Sequence, residues 1–289
     1  MLTKRGFCSV VVLAGTLLLG VGSVQAQVAC QQQLVNPKFD GPPTNPTLAG
    51  WTPVNWTLGG PQLTQFGAAF HFGNPAFLPN SLSQTLGAPA YPASVSLFAE
   101  NGDGAATWAF SVNYTAGGPT VTSFTHLGPG DPAGFPGAFG GIWIPVTPAF
   151  DPFRKVTSIS ITQTAGNGSP TCTDNYSVCG YRARDIDIKP GSFPNSINPD
   201  SKGNIPVALL SAPGFNATTC TSLTFGPNNA PALRTAAEDV DGDGDLDLVA
   251  HFATQATGIT CSTTMACLTA SCGGVATRGC DSVNPVPCP

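Results

Sequence analysis

Hydrophobic and polar residues alternate along much of the chain with period two. Trp108, Phe110, Val112 and Tyr114 interleave with Ala109, Ser111 and Asn113, the signature of a strand with one face in a core. Ser94 to Phe98, Val121 to Leu127, Ile142 to Ile144 and Val156 to Ile161 give further strands. Between them lie turn clusters such as Asn101-Gly-Asp-Gly104 and Gly128-Pro-Gly-Asp-Pro132. No stretch of the aromatic-rich region from about 30 to 181 holds a helical period over ten residues. Short strands joined by tight turns predict an all-β chain, with a β-sandwich of jelly-roll type in this half.

The pattern breaks at the N-terminus. Lys4 and Arg5 precede an apolar run from Val10 to Val21, and Val24-Gln25-Ala26 is a small-residue cleavage pattern. The run is shorter than the roughly 20 residues a membrane span needs, and no later stretch comes close. Residues 1–26 therefore read as a signal peptide and the mature chain as secreted. A lipid anchor on Cys30 is the rival, weakened by Gln27 where a lipoprotein signal usually has Leu.

Composition agrees with export. Removing Lys4 and Arg5 takes the formal charge from -5 to -7, and no basic cluster survives, which argues against nucleic acid as a partner. Charged residues are 9% of the chain against about 25% in an average domain, while 42% are hydrophobic, enough for cores. Of ten cysteines, Cys8 leaves with the signal. In an exported chain the other nine predict disulfides, with Cys172–Cys179 and Cys267–Cys272 as plausible local pairs and one thiol left over.

Two ordered sets of motifs resemble known families. Leu34-Val-Asn-Pro-Lys-Phe-Asp40, Gly50-Trp-Thr52, Ser81-Leu-Ser-Gln-Thr-Leu86 and Asp174-Asn-Tyr-Ser-Val178 resemble the N-terminal galactose-binding-like jelly roll of many exported bacterial proteins. Asp185-Ile-Asp-Ile-Lys-Pro-Gly-Ser192, Pro194-Asn-Ser-Ile-Asn-Pro199, Lys202 to Leu209 and Glu238 to Val249 resemble a secreted bacterial accessory module, often C-terminal. These resemblances imply two β-sandwich modules, jelly-roll or Ig-like, in tandem: 30–182 and 183–289. They also imply an extracellular role without established catalysis.

The second motif set contains the clearest chemistry. Asp239, Asp241, Asp243, Asp245 and Asp247 alternate, with Gly242 and Gly244 between them. In EF-hand register Asp239 is position 1 and Gly244 the required glycine at 6, but Ala250 stands where the bidentate Glu belongs. The spacing resembles the calcium loops of integrin-type propellers, whose loops feed strands, and Leu246, Leu248, Ala250 and Phe252 alternate as an outgoing strand. Five carboxylates in nine residues repel one another, and a hard divalent cation offsets that. All five are candidate Ca2+ ligands, with affinity on the order of 10⁻⁴ to 10⁻³ M.

Catalytic motifs are missing. The mature chain holds two Glu, Glu100 and Glu238, and three His, with no Gly-x-Ser-x-Gly elbow, His-Glu-x-x-His helix or phosphate loop. His251 is placed near the acidic loop. Trp51 and Trp56, in a loop-like stretch, are candidate stacking platforms for a polysaccharide or cell-surface glycan. The reading is a non-catalytic interaction protein. The rivals are a purely structural surface or matrix component, and a secreted hydrolase of unfamiliar type.

Overall fold

The computed structural model describes residues 28–37, 49–54, 62–64, 67–72, 78–101, 105–127, 135–136, 142–166 and 171–288. The signal segment, Trp56 and both turn clusters named above lie wholly or largely outside them. Among the described residues the chain is all-β, and the helical turns are two 3-10 turns, Ala217–Thr219 and Thr254–Ala256. Among the described residues no helix is long and apolar enough to cross a membrane.

The strand Ala106–Tyr114 alternates buried and half-buried at every step, as its pattern requires. It sits between Thr120–His126 and Val156–Gly166, and the latter pairs with the first half of Asn80–Asn101. Thr52–Val54 completes this layer. The long strand Asn80–Asn101 then changes layers. Up to Ala90 it pairs with Val156–Gly166, and from Ala90 onward with Thr171–Ala183 and Ile142–Val146. Gly87, Pro89 and Pro92 punctuate the changeover, where loss of amide donors suits a strand leaving one partner for another. Leu82, Val95, Trp108, Phe110, Ile159, Ile161 and Val178 meet between the layers.

A second core lies in a second sandwich. One sheet runs Ile186–Ile188, Asn204–Leu209, Asp247–Ala253, Arg234–Glu238; the strands Ala230–Pro231, Cys220–Phe225, Met265–Cys272 and Val275–Ser282 face it. Phe225, Phe252, Ile188, Val207, Leu209 and Leu268 fill the space between. The core changes over between Val178 and Ile186, yet the backbone sheet is continuous. Arg182 and Ala183 pair in parallel with Thr277 and Arg278, and the Arg278 guanidinium stacks 3.8 Å from the Tyr181 ring centre. Gly279 belongs at this seam, because a Cβ there would stand 2.3 Å from Ile186 Cγ2 and 2.9 Å from the Arg184 carbonyl.

Among the described residues there are four disulfides: Cys30–Cys179, Cys220–Cys272, Cys261–Cys288 and Cys267–Cys280. They correct both local pairings. Cys267 faces Cys280, and Cys272 faces Val275, because Gly273-Gly274 closes a two-residue hairpin. Cys272 instead bonds Cys220, its cross-strand neighbour on the other side. Cys179 bonds Cys30, directly beside it through the Gln31–Gln32 strand. The side chain of Cys172 is outside the described set.

Candidate functional site

The acidic loop joins the exposed edge strand Arg234–Glu238 to Asp247–Ala253. Its aspartates fold it by accepting backbone N–H groups two to five residues on, as Asx turns do. Asp239 accepts from Gly242 N at 2.9 Å and Gly244 N at 3.2 Å, Asp241 from Asp243 N at 3.2 Å, and Asp243 from Asp245 N at 2.8 Å. Gly242 and Gly244 take φ of 78° and 94°, and a Cβ on either would meet nothing, so conformation rather than space demands glycine. Asp247 differs from the rest: it is 1% exposed and accepts from Ser211 N at 2.7 Å and Val240 N at 2.9 Å.

Carboxylate oxygens of Asp239, Asp241 and Asp247 all lie within 4.8 Å of one another. Calcium–oxygen bonds of about 2.4 Å put ligands on opposite sides of the ion about 4.8 Å apart, so these three fit one hard cation. The carboxylates of Asp243 and Asp245 lie outside this group; in the loop register Asp245 would contribute its backbone carbonyl rather than its side chain. The Asp243 carboxylate turns to the Asp245 amide, and Asp245 lines a neighbouring cavity. Ser211 carries no local sequence signal yet holds the arrangement: besides its bond to Asp247, its Oγ donates to the Leu246 carbonyl at 2.7 Å. His251 faces Arg234 and Pro206 across its strand rather than the loop. Burial lowers its pKa, and the Arg234 charge adds to that.

In the first sandwich, Trp51 is corrected from stacking platform to core. It is 6% exposed, its ring centre is 4.7 Å from that of Tyr176, and its Nε1 donates to the Asn36 carbonyl at 3.1 Å. Trp108 and Trp143 are fully buried, and Trp56 lies outside the described residues. The motif residues converge here to close the sandwich. Gln84, 2% exposed, accepts from Val35 N at 2.8 Å and donates to Val35 O at 2.9 Å. Gly50, with φ of 85°, passes so close that a Cβ would stand 3.1 Å from Gln84 Nε2. Asn195 plays the matching part in the second sandwich, donating to Asp281 Oδ2 at 2.8 Å and to the Ser282 carbonyl at 2.9 Å.

The outer face of the first sandwich is built differently. Cross-strand register sets Thr52, Ser83, Ser160 and Ser111 in one row and Thr85, Ser158 and Asn113 in the next. These are half-buried or exposed positions, and neither row holds an ionisable or aromatic side chain. Asn113 Nδ2 donates to Ser158 Oγ at 3.1 Å, linking neighbours within a row.

No family model and no curated protein matches the chain. Among solved structures it is similar to a non-crystalline cellulose specific carbohydrate-binding module, CBM28, at 14% identity and a TM-score of 0.37, over 53% of this chain and 97% of that one. It is similar to TmCBM61 in complex with β-1,4-galactotriose at 15% identity and a TM-score of 0.32, over 52% of this chain and 99% of that one. A family 11 carbohydrate-binding module from Clostridium thermocellum, in complex with a β-1,3-1,4-mixed-linked tetrasaccharide, gives 10% identity and a TM-score of 0.33, over 54% and 99%. Likeness at these values carries no ligand over to this chain.

Proposed function

We propose that the protein is a secreted, non-catalytic interaction protein: calcium staples its second sandwich, and the outer face of its first docks on a neutral glycan. The observation that carries the calcium half is the convergence of Asp239, Asp241 and Asp247, one of them buried, within 4.8 Å. These three would hold the ion, whose charge would offset the repulsion of the carboxylates. A site with so few converging carboxylates suits millimolar extracellular calcium better than cytosolic signalling. Export is supported by the leader-like first 26 residues together with four disulfides.

The uncharged hydroxyl rows support the glycan half. Each sugar hydrogen bond there replaces one to water, so its net worth is about 0.5–1.5 kcal/mol, and affinity would come from many contacts along a polymer. The burial of Trp51, Trp108 and Trp143 favours a second reading, a structural surface component with no such ligand. Affinity electrophoresis of the mature protein separates them, using gels cast with mixed-linkage glucan, galactan or acidic alginate. The proposal expects retardation by a neutral polymer and its loss in Ser160→Asp, which puts a charge into the row of Thr52, Ser83, Ser160 and Ser111. Equal mobility in all gels would overturn the glycan half and leave the structural reading.

A further inference from the structure

The cavity beside the acidic loop uses residues that the ion leaves idle. It has a volume of about 540 Å³, within the range of about 300–1,000 Å³ typical of small-molecule sites. One wall is the tight turn Ala212-Pro-Gly-Phe215, closed by Phe215 N to Ala212 O at 2.8 Å and Ala212 N to Phe215 O at 3.0 Å. The other is Gly244, Asp245 and Leu246. Ser211 locks the walls together: it donates to Asp247 and Leu246 and accepts from Ala217 N at 3.0 Å. The cavity is therefore formed in advance of any ligand.

Its lining pairs apolar surface with a few hydrogen-bonding groups. Leu246 is 55% exposed and presents apolar surface to the cavity. Pro213 and Phe215 stand with it in the lining, and Phe215 is fixed by the Arg184 guanidinium 4.0 Å from its ring centre. Asp245 offers a carboxylate outside the three that converge. Asn216 spends its side-chain oxygen on Thr218 N and Oγ1, which leaves its amide N–H groups as donors. No cationic side chain lines the cavity, and the loop beside it is acidic, so an anionic ligand is disfavoured. A pyranose ring meets these demands: vicinal hydroxyls for the carboxylate and amide, and a C–H face for the apolar side chains.

We propose that this cavity binds one neutral hexopyranose unit, with Asp245 and Asn216 taking its hydroxyls and Leu246 and Phe215 covering its apolar face. The site is separate from the hydroxyl face of the first sandwich and needs no contribution from it. The test is a titration of ¹⁵N-labelled mature protein, in calcium buffer, with methyl glycosides of glucose, galactose and mannose. At least one should shift the amides of 212–218 and 244–246 saturably. Asp245→Asn and Leu246→Ser should each weaken that binding about tenfold. No shift at those amides with any glycoside, or binding unchanged in both variants, would overturn the proposal. Asp245 lies outside the converging group, so Asp245→Asn should keep the calcium-dependent rise in melting temperature. That control separates failure of the cavity from failure of the ion site.

Discussion

The first sandwich buries Trp108, Phe110, Trp143 and Tyr176 almost completely and carries one disulfide, whereas the second buries mainly aliphatic side chains and carries three. Large aromatic side chains supply much buried area each, and polar motif side chains such as Gln84 then tie loops to that core. The second sandwich has smaller side chains and an exposed acidic edge, and covalent cross-links stand in for part of the missing burial. Each half is therefore vulnerable in its own way: packing and buried amides in the first, cross-links and charge in the second.

Cys267→Ala with Cys280→Ala opens a loop of 13 residues and should lower unfolding free energy by about 3 kcal/mol in urea titration. A cost under about 1 kcal/mol would mean that packing alone holds the second sandwich. Gln84→Ala should cost the first sandwich about 2 kcal/mol, because it strands both polar groups of Val35. Hydrogen exchange should accelerate most at residues 34–36, and uniform acceleration would break the assignment of Gln84 as a local tie.

A smaller effect concerns Asp187. Burial pushes its carboxyl pKa up, and the nearby Asp281 charge pushes the same way. The folded state then keeps the proton to higher pH than the unfolded state. Its contribution to stability is complete below about pH 4 and is lost as pH rises through the raised value. Asp187→Asn should therefore stabilise the protein modestly at neutral pH, with the gain fading on acidification. Melting temperatures across that range would check the sign, and a gain that grew toward acid would refute it.

Strands with clean alternation were legible because parity alone sets their faces, as in Ala106–Tyr114. The layer change in Asn80–Asn101 was not, because Gly87, Pro89 and Pro92 look locally like a turn. Trp51 was misplaced for a similar reason. Its neighbours read as loop, while it packs against Tyr176, far along the chain. The Cys267–Cys280 pair was recoverable: Gly273-Gly274 is a two-residue hairpin signal, and counting outward from it sets those two opposite. In the acidic loop the period marked the turn, but it did not reveal that Ser211 would help bury Asp247 or that Asp245 would face a cavity.

On our proposal the side-chain carboxylates of Asp239, Asp241 and Asp247 hold an ion that staples the second sandwich. Thermal unfolding of the mature protein, Asp241→Ala and Asp245→Ala, each with 1 mM calcium (about the level where sites of this class fill) and with chelator, tests it most directly. The parent should show a calcium-dependent rise worth about 1 kcal/mol, lost in Asp241→Ala and kept in Asp245→Ala. No rise in the parent, or equal loss in both variants, would contradict it.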